Sequence, residues 1–375
     1  MSNFRDTLAI IAFHLASHLT EPICKTHEFF WRIRLVDALH PSSSALSNFA
    51  RKIPLYIPLA AWSFLAIVAT LPGIALRARA LNIQEKPFIY LQGEAEEKTL
   101  PSNRSFSLLS WNVCCVSGGY SIRDGGLWTW PHRIDNIITK LIEIDADVIC
   151  LYEIFDSQAA FYIYENLKRH GYCHFYLNIG PTATSVASGI LIASKYNIEN
   201  PEFFPFAENS LQGSDTKGVF AFDLESLGEN FARIYSTHLQ HSEEPAFPTT
   251  EELEARKIQM QLIVDQAKTV RDRCVVVTGD LNLDDAEYNT FSWHSIFQKE
   301  EGHIDKTWGG DAFCARMVGK RVSGPLNLDH TLVVDGTVSA IKTTLVPTEY
   351  DPAIFKKEAL SDHAGLLSWI ALLEE

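Results

Sequence analysis

The apolar residues of this chain fall into two regimes. From Ile53 to Leu76, 24 successive positions carry no charge, a run long enough to cross a bilayer. Arg51 and Lys52 flank it on one side and Arg77 and Arg79 on the other, so the basic flanks set no orientation. Pro54, Pro58 and Pro72 predict a kink or break, which leaves both a spanning and a re-entrant segment open. A shorter apolar patch, Leu8 to Leu19, is interrupted by His14 and His18 and is too short to predict a span. Beyond about residue 80 the chain turns polar and reads as a linker over 81–104.

From 105 onward the apolar runs are short. Phe106–Trp111 alternates as a strand does. Pro131 opens a helical pattern with Ile134, Ile137, Ile138, Leu141 and Ile142 on one face, since proline is tolerated in a first turn. Val148–Tyr152 reads as a buried strand and Ser157–His170 as a helix. Gly189–Ala193, Gly218–Leu224 and Phe231–His238 read as strands. Thr249–Arg271 predicts a long helix capped by Thr250, with Leu253, Ile258, Leu262 and Val264 inward. Val275–Thr278, Leu328–Val334 and Leu366–Ile370 complete the strands. Strands outnumber helices and many are joined directly, which predicts an α+β fold of two packed sheets.

The charge pattern sharpens this division. The 375-residue chain carries a net charge of −14, unfavourable for gripping a nucleic-acid backbone. Residues 1–90 hold nine Lys/Arg against five Asp/Glu, so a mildly basic, apolar N-terminus precedes an acidic body. That suits attachment to an anionic membrane surface. The seven cysteines include no CxxC pair; Cys150 and Cys274 lie in strand-like runs as small buried hydrophobes.

Six predicted strand ends carry polar residues suited to one chemistry: Asn112, Glu153, His238, Asp280 with Asn282, Asp329, and Asp362 with His363. Singly, each has an ordinary reading, such as a turn asparagine or a satisfied histidine. Together, carboxylates, carboxamides and imidazoles at strand ends suit metal-assisted hydrolysis of a phosphate ester.

The order Ser110-Trp111-Asn112, Asp147 to Glu153, Thr237 to Gln240, Gly279 to Asn282, Leu328-Asp329-His330 and Ser361-Asp362-His363 resembles the endonuclease/exonuclease/phosphatase superfamily over about 104–372. Within it, Tyr152 to Asp156, Ser188 to Tyr196, Lys217-Gly218-Val219 and Pro87 to Tyr90 are most similar to membrane-anchored neutral sphingomyelinases. The resemblance implies a four-layer α/β/β/α sandwich of DNase I type behind an N-terminal membrane segment. The chain departs from the pattern at Tyr152, where Gln is common, at His330, where Tyr is common, and at Gln212, where the anchored type has Asp. Asp215 lies nearer Lys217, so a regulatory Asp–Lys contact is not carried over.

The resemblance implies a Mg²⁺ ion, replaceable by Mn²⁺, held by Glu153 with Asn112 and Asp362. It implies His363 as general base held by Asp329, Asp280 orienting water, and Asn282, His238 and Lys217 on the phosphate. The expected activity is hydrolysis of sphingomyelin to ceramide and phosphocholine at a membrane, with the body on the cytoplasmic side. A phosphoinositide phosphatase or nuclease on the same scaffold, and a catalytically silent membrane scaffold, are the alternatives. A Gly-rich loop bearing Tyr120, Trp128 and Trp130 suits either dipping into the lipid interface or packing on the body.

Overall fold

A computed structural model describes the chain except residues 1–3, 85, 182–185, 207–215, 292–294, 299–305, 310–316, 318–320, 322–323, 350–357 and 374–375. Gln212 and Asp215 therefore lie outside the described residues. The body is two packed sheets. The first orders its strands as β1 (Ile89–Gln92), β4 (His174–Leu177), β5 (Leu191–Ser194), β3 (Val148–Tyr152), β2 (Ser105–Asn112), β13 (Gly365–Leu372) and β12 (Val338–Val346). The second runs β10 (Phe297–Gln298), β11 (Asp329–Val334), β9 (Cys274–Asp280), β8 (Glu229–His238), β7 (Gly218–Ser226) and β6 (Asn197–Pro205). Helices α3 (Ile134–Ile144) and α4 (Ser157–Leu167) cover the first sheet, and α5 (Thr250–Ala267) the second; a short α6 (Asp285–Tyr288) follows β9. This is the four-layer α/β/β/α arrangement of the DNase I-like fold.

The period-2 rule of strands decides which residues reach the site. Phe106 and Leu108 of β2, Cys150 and Tyr152 of β3, Ile234 of β8 and Val276 of β9 form the core between the sheets. Counting on by twos along β2, β8 and β9 leads to Asn112, His238 and Asp280. The same inter-sheet face that is apolar in the middle thus becomes polar at one edge. A layer of buried hydroxyls separates the two: the Tyr152 phenol meets Ser236 Oγ at 2.9 Å and donates to the Thr278 carbonyl at 3.1 Å. Thr278 Oγ1 lies 3.0 Å from Thr331 Oγ1. Tyr152, the departure from the family pattern, therefore ties the first sheet to the second directly behind the site.

Several local expectations are corrected. The stretch 81–104 is not a plain linker: it contains β1, an edge strand paired with β4, because Phe88 and Ile89 are apolar enough to be buried in the body. Strands β4, β6 and β12 carry weak alternation and were not predicted. Helix α5 is capped by Thr249, not Thr250. Thr249 Oγ1 accepts from the Glu252 N–H, and the Glu252 carboxylate accepts from the Thr249 N–H, a capping box. Its inward face is Met260, Ile263 and Val264, while Ile258 and Leu262 are exposed. The Pro131 segment is a short 3-10 turn, Trp130–His132, with α3 beginning after it.

The N-terminal region forms a helical hairpin. The patch judged too short lies within a 36-residue helix, α1 (Phe4–Leu39), and α2 (Ala45–Ile83) runs unbroken for 39 residues through all three prolines. At 1.5 Å per residue α2 is about 58 Å long. The two helices run antiparallel, with Lys52 pairing Asp37 at 2.5 Å near one end. Further along, Gly73 sits against Leu19 and Thr20, where an added Cβ would lie 2.8 Å from the Thr20 methyl carbon. Ala9, Ala12 and Phe13 of α1 pack with Ala159, Ala160 and Ile163 of α4. On α2, Leu46, Phe49, Ile57, Phe64, Ile67 and Leu71 face outward, more than half exposed.

The aromatic Gly-rich loop packs on α1. Tyr120 stacks on His27 at 4.2 Å, and the Arg32 guanidinium lies over Trp128 at 5.4 Å. Gly118 and Gly119 permit this approach. A Cβ on Gly118 would lie 2.6 Å from the Cys24 carbonyl oxygen, and one on Gly119 3.0 Å from Glu28 Cα. The six described cysteines are all free.

Candidate active site

β2 and β3 run parallel, as do β8 and β9, so the ends of four strands reach one edge. His238 pairs in register with Asp280, and Asp329 at the start of antiparallel β11 also lies opposite Asp280. Three candidate side chains are thereby set side by side by sheet register alone. Gly279 makes this register feasible, since a Cβ there would fall 1.8 Å from the Thr237 carbonyl oxygen.

Asp362 and His363 arrive on the turn before β13. Ser361 Oγ donates to the Asn112 carbonyl at 2.6 Å, and Trp111 Nε1 donates to the His363 carbonyl at 2.9 Å. The flanking serine and tryptophan of two separated motifs thus fasten those motifs together.

At the centre is Asp280. Asn112 Nδ2 donates to Asp280 Oδ2 at 2.9 Å and to Glu153 Oε1 at 2.9 Å. Asp280 Oδ2 also lies 3.6 Å from His238 Nε2 and 3.8 Å from His363 Nε2. His363 Nδ1 meets Asp329 Oδ2 at 2.8 Å. Asp362, half-buried, accepts from Trp308 Nε1 at 3.3 Å. The Asn112 side-chain oxygen Oδ1 accepts from the Cys114 N–H at 3.0 Å, so as oriented its amide nitrogen faces the carboxylates. In this orientation the Asn112 amide braces the Glu153 and Asp280 carboxylates.

Backbone conformation at the site is unusual. Glu153, Asn282 and Cys114 have φ of 60°, 52° and 49°, a left-handed region that costs non-glycine residues of order 1–3 kcal/mol. Asn282 is held there by its N–H donating to Asp280 Oδ1 at 3.1 Å, and its side chain reaches the Leu239 carbonyl at 3.4 Å.

Crowded carboxylates dominate the electrostatics. Burial first, then the Asp362 charge, pushes Glu153 up to about 7. Burial and the Asp329 charge raise Asp280. Burial alone would lower His363, but Asp329 and Asp280 outweigh it and hold this imidazole well above its ordinary value. His238 moves the other way, depressed by burial and by the Lys217 charge. Lys217 is 3% exposed and lines the cleft, so the solvent-exposed reading of this lysine is set aside.

These residues line one cleft of about 1140 Å³, whose walls include Glu153, Lys217, His238, Asp280, Asn282, Asp362 and His363. The hairpin supplies part of the same wall, through Ser17, Thr20, Glu21, Cys24, Thr70 and Arg77 among others. That contribution was not foreseen, because nothing in the apolar pattern marks which face of α1 meets the body. Glu153, His238 and Asp280 offer atoms within 4.8 Å of one another, as do Asp280, Asp329 and His363; the carboxylate oxygens among them are the donors a hard divalent cation takes. Buried His238 Nδ1 and Asp329 Oδ1 have no hydrogen-bond partner among the described residues, a sign of a site built to receive more than the chain provides.

Sequence reasoning missed Trp308 and Arg133. Trp308 forms backbone bridges with Leu326 and His363, and Thr307 Oγ1 accepts from the Asp329 N–H at 3.1 Å; a Thr-Trp pair in an irregular stretch gave no periodic signal. Arg133 reads as an ordinary helix-start arginine.

Known structures share this architecture. A Staphylococcus aureus beta toxin with bound magnesium ions superposes with a TM-score of 0.57 at 20% identity, covering 71% of this chain and 99% of the toxin. Sphingomyelinase C from Streptomyces griseocarneus gives 0.55 at 19% identity, over 71% and 99%. Truncated TDP2 from Caenorhabditis elegans gives 0.53 at 16%, over 71% and 97%. The model of the Endonuclease/Exonuclease/phosphatase family matches residues 109–363, from within β2 to the histidine of the last motif, and the chain belongs to that family.

Proposed function

We propose that this chain is a membrane-associated, Mg²⁺-dependent phosphodiesterase that hydrolyses sphingomyelin to ceramide and phosphocholine. The observation that carries the reading is the convergence of Glu153, Asp280 and two histidines, one of them held by Asp329, in a cleft partly walled by the N-terminal hairpin. A lipid ester cleaved at a membrane needs both features. The similarity to two solved proteins, a magnesium-bearing toxin and a sphingomyelinase C, supports the metal and the substrate class. The outward apolar face of α2 supports association with a bilayer, including one bearing anionic lipid, and the acidic body disfavours nucleic acid.

Glu153 would hold the cation with Asp362 and with Asn112 bracing the Glu153 carboxylate. When bound, the ion supplies charge neutralisation to a phosphoryl oxygen and to the crowded carboxylates. His363, held by Asp329, would accept a proton from the attacking water in its neutral form, which a bound cation would favour by offsetting the carboxylate charges that raise it, and Asp280 between the two imidazoles orients that water. Asn282 and Lys217 hold phosphoryl oxygens. His238 faces Asp280 from the opposite side and hydrogen-bonds the departing ceramide oxygen, which takes a proton from water to leave as the alcohol, while His363 returns its proton to solvent.

Phosphocholine release from sphingomyelin vesicles, run against phosphatidylcholine, inositol lipids and plasmid DNA with Mg²⁺ and then with chelator, tests the assignment. Chelator-sensitive turnover on sphingomyelin above the others is expected. Preference for an inositol lipid or DNA would move the chain to another branch, and silence on every phosphoester would favour the scaffold.

A further inference from the structure

Arg133 is fully buried, and its guanidinium makes all its hydrogen bonds to backbone carbonyls. Nε donates to Trp128 O at 2.7 Å, Nη1 to Val113 O at 3.0 Å, Nη2 to Cys114 O at 2.6 Å, and Nη1 also to Leu360 O. No carboxylate pairs with it among the described residues. Taking a cation out of water is costly unless its donors are met, so this arrangement persists only where the acceptors are fixed.

The acceptors are informative. Val113 and Cys114 directly follow Asn112. Leu360 directly precedes Ser361, Asp362 and His363. Trp128 belongs to the loop that packs on α1. One planar fork therefore spans the chain after the first motif, the chain before the last, and the loop joining the body to the hairpin. The fork is rigid, so it fixes the separation between Asn112, which braces Glu153, and the turn bearing Asp362 and His363.

We infer that Arg133 is a positioning residue for the hydrolytic site: it holds the Asn112 end of β2 and the Asp362–His363 turn at the spacing that cation binding and proton transfer require. It touches neither substrate nor cation and acts through backbone carbonyls. The inference rests on the metal-hydrolase reading above.

Arg133→Lys and Arg133→Ala in the full-length chain test it, each checked for folding by circular dichroism. The primary readout is Mn²⁺ binding followed by electron paramagnetic resonance, which needs no substrate. Loss of a group that orients metal ligands typically weakens binding about 10–100-fold, and about tenfold weaker Mn²⁺ binding is expected in either variant. With sphingomyelin vesicles, kcat should fall about tenfold or more with KM little changed. Millimolar guanidinium chloride should restore Mn²⁺ binding to Arg133→Ala, where equimolar sodium chloride does not. If Arg133→Ala does not fold, Arg133→Lys carries the test, since a single ammonium cannot reach carbonyls on both sides. A folded Arg133→Lys with wild-type Mn²⁺ affinity and kcat overturns the positioning role alone. A wild-type chain that binds no Mn²⁺ overturns the metal-hydrolase reading and this inference with it.

Discussion

Asp329→Asn is the sharpest probe of how the base is held. Asp329 is buried, its Oδ2 lies 2.8 Å from His363 Nδ1, and its other oxygen has no partner among the described residues. The substitution preserves shape and removes charge, so the imidazolium formed when His363 takes a proton loses its counter-ion. A hydrogen bond to a charged group contributes about 1.5–3 kcal/mol. At about 1.4 kcal/mol per decade that is a fall in kcat of roughly tenfold to a hundredfold. The assay is steady-state phosphodiester hydrolysis at saturating metal, with folding verified by thermal melting. Because Asp329 is argued to act through His363, the two losses should not add: in a His363→Ala background, Asp329→Asn should change the residual rate by less than about twofold. A folded Asp329→Asn with near-normal kcat, or additive losses in the double variant, would refute the pairing as a functional unit.

Other consequences are equally direct. Glu153→Gln should shift the Mg²⁺ titration of activity to higher concentration, and an unchanged curve would remove Glu153 from the cation site. Tyr152→Phe deletes the phenol that bridges the sheets and strands Ser236 Oγ; a loss of about 1–3 kcal/mol is expected in urea unfolding, and unaltered stability would mean the bridge contributes nothing. Ile57→Glu with Ile67→Glu puts charge on the outward face of α2, where the native side chains are 72% and 77% exposed. Vesicle co-sedimentation should weaken by roughly tenfold or more, since an acidic residue in hydrocarbon is strongly unfavourable. Undiminished sedimentation would show that this face does not meet lipid.

The two-sheet fold and the strand-end polar residues were legible in the sequence, the elements at the fold's edges less so. Strand ends and the order of the motifs singled out Asn112, His238, Asp280 and Asp329, and the sheets bring them to one edge because period-2 alternation keeps Asn112, His238 and Asp280 on the inter-sheet face. Edge strands such as β1 and β6 escaped because pairing, not periodicity, defines them. The face of α5 was misjudged because Ile258 and Leu262 are apolar yet outward, and single exposed apolar residues are ordinary. The docking of α1 was invisible for another reason: it depends on Gly118 and Gly119 lacking side chains, and an absent Cβ leaves no mark in a hydrophobic pattern. Arg133 was hidden because its partners are backbone carbonyls, which every residue has. The three prolines in α2 do not interrupt it. Proline removes one donor and crowds the preceding turn, yet α2 accommodates all three without a break in its helical span.

The account stands on a cation held at Glu153 in the cleft where the ends of both sheets meet. Crystals of the full-length chain grown with Mn²⁺ and measured for anomalous scattering test this directly. The account predicts a peak within coordination distance of the Glu153 carboxylate, in the cleft shared with Asp280 and His363, that disappears in Glu153→Gln. A fully occupied peak elsewhere on the protein, with none in this cleft, would contradict it.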